Sequence, residues 1–179
     1  MPIACNQLQP DQAAIDNFLS DVVQTDIHLS AITPNGPISG KHFGSDVEAA
    51  ASWAVSQNTN GRGVYYTGNR CHAGVTTKST KADIISARLV HVDIDPPKDG
   101  APFDKAGVVS ELLSCVTPPS VIVDTGNGVQ PLWLLTESSE DFDRVEAINK
   151  SIASHWGGDN CHNIDRLLRL PGTVNNPNK

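Results

Sequence analysis

The sequence lacks three features that would each point to a particular class of protein. No apolar run approaches the roughly 20 residues that a membrane-spanning helix needs, and the first residues show no signal-peptide pattern. The four cysteines (Cys5, Cys71, Cys115 and Cys161) have no Cys-x-x-Cys spacing, which argues against a disulfide framework. We therefore expect a protein without a membrane partner that works in a reducing, cytoplasmic compartment.

The chain also has little positive charge. Its 179 residues include 13 Lys and Arg against 20 Asp and Glu, which gives a formal net charge of -7. Because nucleic acid is a polyanion, this balance predicts weak unaided binding to a duplex. It does not exclude a local basic groove, nor a site whose acids hold a metal ion. The length and the 39% hydrophobic content are ordinary for one globular domain.

The hydrophobic patterns predict about five helices and five strands in mixed order, which indicates the α+β class. The predicted helices cover about 12–23 after Asp11, then a stretch from Ser45 or Asp46 to 58, then 81–87, 102–115 and a stretch opened by Ser139 with Asp141 that runs to 156. The predicted strands cover 27–33, 64–67, 89–95, 120–124 and 129–135.

The most informative stretch is the predicted strand at 89–95, which carries Asp93 and Asp95. Side chains alternate faces in a strand, so both carboxylates point the same way, with Cα atoms roughly 6.5 Å apart. Pro96 and Pro97 end the strand and leave the acids at its C-terminal end. Oxygen ligands suit Mg²⁺ or Mn²⁺. The residues alone leave two interpretations open, a metal site or a strand end whose acids face solvent.

A second stretch, Thr125–Gln130, contains Gly-Asn-Gly between two predicted strands. This sequence favours a tight hairpin turn. Glycines such as Gly126 and Gly128 also let backbone N–H groups approach a phosphate closely. Gln130 follows the turn, where its amide could bind a phosphate or a base. From this segment alone, a simple hairpin is the favoured interpretation.

The third stretch contains Arg166 and Arg169 next to Asp165. If the segment forms a helical turn, the two arginines share a face, and guanidinium groups suit polyphosphate. Asp165 adds a third acid. Surface arginines are more often solvated or ion-paired, but the Pro-Gly-Thr turn that follows suggests a shaped site.

Zinc is not expected. Cys71-His72 and Cys161-His162 offer suitable ligand types, but the two pairs lie 90 residues apart and have no zinc-site spacing.

The three stretches together resemble the catalytic domain of archaeo-eukaryotic primase (AEP) superfamily primase-polymerases, the prim-pol proteins of phages, plasmids and mobile elements. The similar features are the Asp-x-Asp strand (91–96), the Thr-Gly-Asn-Gly segment (125–133) and Arg-x-x-Arg-Leu-Pro-Gly-Thr-x-Asn (166–175). The approach from Val64 to Ile84 is also similar. The resemblance covers about residues 50–179, and the motifs stand in the family's order and spacing.

The resemblance implies a two-lobed α+β fold whose RRM-like antiparallel sheet carries the metal site. Residues 1–179 would form a single prim-pol catalytic domain, with an N-terminal α/β lobe at about 1–60 and an RRM-like catalytic part at about 61–179. The chain ends at Asn178-Lys179 without a closing hydrophobic element, so we expect a fragment of a longer replication protein that also contains a helicase domain. For a phage or plasmid protein, the location would be the host cytoplasm.

The resemblance also implies DNA primase or polymerase chemistry with dNTP or NTP on a single-stranded DNA template. The cofactor would be Mg²⁺ or Mn²⁺ in a two-metal site, with Asp93 and Asp95 as the principal ligands. Asn163 stands at the position where many relatives carry the third acid. Asp165 is our predicted third acid, and Asp159 is the alternative.

The residues expected to bind the nucleotide are Gln130, Arg166, Arg169, Gly126, Gly128, Lys78 and Lys81. Many relatives carry a histidine at the position of Gln130, so phosphate binding would depend more on the charged residues. Two other functions remain open: a non-catalytic DNA-binding initiator module, favoured by Asn163 and Gln130, and a template-independent, metal-dependent nucleotide enzyme.

Overall fold

A computed structural model describes residues 8–175 of the chain. Cys5 and the chain end at Asn178-Lys179 lie outside the described residues. The helices are α1 (Gln12–Phe18), α2 (Val47–Thr59), α3 (Lys105–Ser114) and α4 (Phe142–Trp156), with a π-helical turn at Leu19–Val23 and a 3₁₀ turn at Lys81–Asp83. The strands are β1 (Ile27–Ile32), β2 (Ile38–Gly44), β3 (Gly63–Thr67), β4 (Arg70–Cys71), β5 (Ile84–His91), β6 (Val121–Asp124), β7 (Val129–Ser139) and β8 (Leu167–Arg169).

The strands form two four-stranded sheets, which confirms the predicted α+β class. The first sheet has the order β2-β1-β3-β8, and the second has the order β4-β5-β7-β6. The chain divides into two compact units. The first comprises the part up to Tyr66, Ala73–Lys78 and the part from Leu168 onward, and the second comprises Thr67–His72 with Ser79–Leu167.

Each of the four α-helices begins after an aspartate that caps it. The side chains of Asp11, Asp46, Asp104 and Asp141 each accept the backbone N–H three residues further along, at 2.9–3.1 Å. Such a cap satisfies one of the N–H groups that have no partner inside the helix. The predicted start at Asp11 is confirmed, and the other two predicted capping pairs resolve to Asp46 and Asp141.

The core of the second unit lies against α3 and α4. One buried cluster joins residues of β4 and β5 to Val145 of α4 and to Ile164. A second joins Val92, Ile94 and Val129 to Leu112 of α3. These clusters bury the apolar side chains around the end of β5. The close packing holds the backbone in place for the polar side chains that follow.

The helix predicted at 81–87 is wrong beyond its first turn. Thr80 and Asp83 form a capping box around the 3₁₀ turn, and strand β5 starts directly at Ile84. This strand pairs antiparallel with β7 on one side and with β4 on the other. Pairing with β4 and β7 stabilises the strand more than the helix propensity of Lys81-Ala82 would stabilise a helix. Helical structure is therefore limited to one turn.

Strand β2 was not predicted. Its sequence, Ile-Ser-Gly-Lys-His-Phe-Gly, has two glycines and little alternation, so periodicity gives a weak signal. It forms because β1 offers a partner after the turn at Pro34–Pro37, with Ile32 opposite Ile38.

No helix in the described part of the chain is both long enough and apolar enough to cross a membrane.

Candidate active site

Asp93 and Asp95 lie just beyond the regular end of β5. Paired strand stops at His91, but the chain stays extended, and Ile94 forms a two-bond bridge with Val129 of β7 (3.0 and 2.9 Å). Val92 and Ile94 are buried, with 1% and 4% of their surface exposed. Asp95 is exposed and Asp93 is half-buried, as the predicted alternation requires.

Gly128 lets the turn between β6 and β7 approach the acids. A Cβ atom at this position would lie 2.5 Å from Asp95 Oδ1 and 2.9 Å from Asp95 Cα, and still closer to the carbonyl oxygen of Ile94. No side chain fits in this space. Gly128 therefore determines how close the turn comes to Asp95.

Gln130 binds one of the acids. Its Nε2 donates a hydrogen bond to Asp93 Oδ1, while its Oε1 is buried without a hydrogen-bond partner in the described residues. The side chain is only 3% exposed. Gln130 thus orients Asp93.

The glycine turn uses its own amides internally. Gly126 N–H donates to Asp124 Oδ1 at 2.7 Å, and Gly128 N–H donates to Thr125 Oγ1 at 3.1 Å. Lys105 Nζ holds the turn from α3, at 2.9 Å from Asp124 Oδ1 and 2.8 Å from the Gly126 carbonyl oxygen. The turn is thus a braced hairpin whose glycine N–H groups are already engaged.

Arg166 lies at the acid pair. Its Nη2 is 3.9 Å from Asp93 Oδ2, and its Nε is buried without a hydrogen-bond partner in the described part of the chain. The Arg166 side chain is 40% exposed, so the rest of its guanidinium can contact an anion from solvent. Arg166 is therefore the cation best placed to bind a phosphate at this site.

The condition under which Arg166 and Arg169 would share a face, a helical turn, is not met. The chain forms strand β8 over Leu167–Arg169 because Leu168 and Leu170 are both buried and the Leu170 N–H donates to the Val64 carbonyl oxygen. Residues three apart in a strand face opposite sides. Arg169 belongs to the first unit, where its Nη2 donates to the Tyr65 hydroxyl at 3.1 Å and its guanidinium stacks on the Tyr65 ring.

The two predicted lysines lie in different units. Lys78 belongs to the first unit, and Lys81 belongs to the second. Lys81 Nζ binds Glu146 at 2.6 Å, and this hydrogen bond raises the pKa of Lys81. Lys81 is thus already paired, and it would have to leave Glu146 to bind a nucleotide.

Two aspartates stand near the predicted position of the third acid. The Asp159 N–H donates to the Asp93 carbonyl oxygen at 2.9 Å, and the charge of Asp159 adds to the burial that raises the pKa of both Asp93 and Asp95. Asp165 instead accepts a hydrogen bond from Asn163 at 2.6 Å, and its charge acts on Lys81. Of these two aspartates, Asp159 is the one whose charge acts on the acid pair.

Lys98 is a further charged residue near the acids that the sequence did not indicate. Its Nζ lies 3.2 Å from Asp159 Oδ1, and its charge slightly offsets the burial that raises the pKa of Asp95. Lys98 directly follows Pro96 and Pro97. The segment there has no hydrophobic periodicity, so the sequence does not show which way the Lys98 side chain points.

The two acids are costly to ionise in this environment. Burial raises the pKa of Asp93, and the Gln130 hydrogen bond and the Arg166 charge only partly offset this. Burial also raises the pKa of Asp95, and the charges of Asp93 and Asp159 raise it further. A cation bound between these carboxylates would relieve their repulsion.

A divalent cation fits this set of donors. Among residues 8–175, no group of three or more His, Cys, Asp and Glu side chains is arranged to hold a metal ion. Mg²⁺, however, is often held by one or two protein carboxylates together with substrate phosphates. Asp93 and Asp95 are such a pair of carboxylates, and Arg166 is a cation beside them. Cys71, one of the residues considered as a zinc ligand, is buried in the apolar core of the second unit.

We expect replacement of Asp95 by asparagine to stabilise the protein when divalent metal is removed. The folded-state pKa of Asp95 is raised above the unfolded value, so the ionised carboxylate destabilises the fold at pH 7, and this penalty disappears as the pH falls toward about 4. Melting curves in EDTA should show a higher Tm for Asp95→Asn than for wild type at pH 7 and a smaller difference at pH 4.5. Asp99→Asn, exposed in the same loop, is the control. Equal Tm values at pH 7 would contradict the expected penalty.

Comparison with known proteins identifies the fold. No protein-family profile and no curated protein matches the sequence. Among solved structures, the chain is similar to the AEP domain of the primase-polymerase of cyanophage S-2L, with a TM-score of 0.70 and 18% identity over 94% of this chain and 85% of that one.

Two primase structures are also similar. For primase RepB′ the TM-score is 0.67 at 16% identity, over 92% of this chain and 50% of that one. For the catalytic domain of RepB′ in complex with initiator DNA it is 0.67 at 16% identity, over 91% of this chain and 77% of that one. These similarities show the fold: the chain has an AEP primase-polymerase fold, which confirms the fold that the three motifs predicted.

Proposed function

We propose that this domain carries out template-directed nucleotidyl transfer, as a DNA primase or a DNA polymerase. The observation that carries the proposal is the pair Asp93 and Asp95 beside Arg166, on a fold shared with primase-polymerases. The acids match a divalent cation, and the guanidinium matches the triphosphate of a dNTP or NTP.

In this proposal, Asp93 and Asp95 hold Mg²⁺ or Mn²⁺, and Gln130 fixes the orientation of Asp93. Bound divalent ions would supply activation of the attacking hydroxyl and charge stabilisation at the transferred phosphoryl group. We propose Asp159 rather than Asp165 as the third acid, because the Asp159 N–H binds the Asp93 carbonyl oxygen, whereas the Asp165 carboxylate is paired with Asn163. Lys98 would then leave Asp159 when the ions bind.

Nucleotide phosphates would be held mainly by Arg166. Arg169 and Lys78 remain proposed contributors from the first unit, and Lys81 could contribute only after leaving Glu146. The glycine turn would act by shaping the wall of the site, since the N–H groups of Gly126 and Gly128 are engaged within it.

Single-stranded DNA is the proposed template. One similar structure is a primase catalytic domain in complex with initiator DNA. The chain carries a net charge of -7, so DNA affinity would depend on local contacts or on other domains. We propose that the domain belongs to a phage or plasmid replication protein with a helicase domain, in the host cytoplasm.

The test is nucleotide incorporation with Mn²⁺ or Mg²⁺, on single-stranded DNA, with a supplied primer or without one. Product without a primer would identify a primase-polymerase, and product only with a primer would identify a polymerase. Turnover of triphosphate that is independent of the template would instead identify another nucleotide enzyme. No product with metal and nucleotide bound would overturn the catalytic proposal.

A non-catalytic DNA-binding module is the second candidate. It is favoured by Asn163, which stands where many relatives carry an acid, and by Gln130, which stands where many carry a histidine. In that case DNA binding would be unchanged in Asp93→Asn, and no condition would give product.

We expect Arg166→Ala to raise the KM for the nucleotide by about 10–100-fold, because a charge-assisted hydrogen bond contributes roughly 1.5–3 kcal/mol. Steady-state incorporation at varied nucleotide concentration measures this change. Arg144→Ala is the matched control, since Arg144 is exposed on α4. An unchanged KM in Arg166→Ala would exclude Arg166 from phosphate binding.

A further inference from the structure

The chain between α4 and Arg166 is held by hydrogen bonds along its length. We call residues 158–164 the acid segment, because it carries Asp159. At its start, the Gly158 N–H donates to the Ala153 carbonyl oxygen of α4 at 2.8 Å. At its end, the Ile164 N–H donates to Glu146 Oε1 of α4 at 3.0 Å. Helix α4 thus supports both ends of the acid segment.

The middle of the acid segment is held from two sides. His91 Nε2 lies at hydrogen-bond distance, 2.9 Å, from the Cys161 carbonyl oxygen. Asn149 Nδ2 donates to the next carbonyl oxygen, that of His162, at 3.1 Å. Both contacts are made by buried side chains, His91 at the end of β5 and Asn149 on α4.

Asn149 joins the acid segment to the strand that leads to the acid pair. Its Oδ1 accepts the His91 N–H at 2.9 Å while its Nδ2 binds the segment, and the residue is only 1% exposed. A carboxamide is suited to this place because it donates and accepts at the same time. Aspartate would lack the donor, and leucine would lack both groups and leave the His91 N–H and the His162 carbonyl oxygen unsatisfied.

The acid segment packs so closely against the chain after β5 that there is no room for an added side-chain atom at Gly158. A Cβ atom at Gly158 would lie 2.7 Å from the Asp93 carbonyl oxygen and closer still to Val92 Cγ2. That same carbonyl oxygen accepts the Asp159 N–H. A small shift of the segment would therefore change the position of Asp159 relative to Asp93.

We propose that Asn149 is a positioning residue that sets the acid segment against the end of β5 and so fixes Asp159 and Arg166 relative to Asp93. This inference rests on the proposed function. It adds a residue that touches neither the metal nor the nucleotide and acts through the backbone of its neighbours.

The test compares wild type with Asn149→Leu, which keeps a similar volume but removes both hydrogen bonds. Lys150→Leu, at an exposed neighbouring position on the same helix, is the control. Hydrogen exchange is measured on the amides of the acid segment and on those of α4 and β7, and the Kd for Mn²⁺ is measured by titration.

In Asn149→Leu we expect the amides of Asp159 and Ile164 to exchange at least about tenfold faster relative to those of β7. The Kd for Mn²⁺ should rise by about 10–100-fold, as for residues that orient metal ligands. A purely structural role predicts a uniform acceleration of exchange and an unchanged Kd in the folded protein, and either result would overturn the inference. If Asn149→Leu does not fold, Asn149→Ser provides the same comparison.

The two proposals can fail separately. If wild type neither binds Mn²⁺ nor incorporates nucleotides, the proposed function fails, and the exchange measurement still decides whether Asn149 sets the acid segment. If wild type binds Mn²⁺ and Asn149→Leu binds it equally well, only the positioning inference fails.

Discussion

Replacement of Asp93 by asparagine is expected to reduce template-directed synthesis by about 10³-fold or more. A bound divalent ion supplies several kcal/mol of transition-state stabilisation, and each 1.36 kcal/mol corresponds to a tenfold change in rate. Asparagine keeps the shape of Asp93 and an acceptor for Gln130, so the fold should persist. The loss would therefore come from the missing negative charge.

The measurement is single-turnover incorporation on a primed template, together with Mn²⁺ binding and melting curves. Asp99→Asn, in the exposed loop after the acid pair, should retain wild-type activity. If Asp93→Asn keeps more than about a tenth of the wild-type rate, Asp93 is not an essential metal ligand, and the second candidate function gains support.

The acid pair could be predicted from the sequence because it depends on local chain geometry. Strand alternation places Asp93 and Asp95 on one side and Val92 and Ile94 on the other, and burial of the two apolar side chains enforces that order. The alternation of buried and polar side chains continues although the regular ladder of β5 stops before Val92. It continues because the chain stays extended up to the bridge between Ile94 and Val129.

The surroundings of the pair could not be predicted in the same way. Asp159 comes within electrostatic range of Asp93 because its own N–H binds the Asp93 carbonyl oxygen, a group distant in sequence. Such long-range hydrogen bonds produce no periodic pattern of residues, so the sequence does not reveal them. Asn149 left a weak signal, a carboxamide on the otherwise apolar row of α4 that includes Val145, and this could have indicated a buried bridging role.

The arginine motif shows where spacing alone misleads. Arg166 and Arg169 share a face only on a helix, and the chain there is too rich in buried leucine at alternate positions to form one. The strand places Arg169 with Tyr65 in the first unit, while Arg166 stays beside Asp93 in the second. A prediction based on alternation of Leu168 and Leu170 would have separated the two arginines.

The second large effect is expected from Gly128→Ala. The added Cβ atom would overlap the carbonyl oxygen of Ile94 and lie 2.5 Å from Asp95 Oδ1, so the turn must move away from the acids. Overpacking of this kind costs about 1–3 kcal/mol, and we expect Tm to fall by roughly 3–10 °C. Because Asp95 and the bridge between Ile94 and Val129 would shift together, synthesis should fall by about 10²-fold, as expected for a misplacement near 1 Å.

Gly126→Ala separates this effect from simple turn strain. Gly126 has a φ of +93°, and no atom lies within 4 Å of the place that a Cβ atom would take, so alanine there strains the backbone without touching the acids. Its Tm should fall by a similar or smaller amount, while Mn²⁺ binding and incorporation at a temperature well below Tm stay near wild type. If both variants lose activity in proportion to their stability, the close approach of Gly128 serves folding and not the site. If only Gly128→Ala loses Mn²⁺ binding, the turn sets the position of Asp95, because a methyl group of the same size affects the site only where it meets the carboxylate.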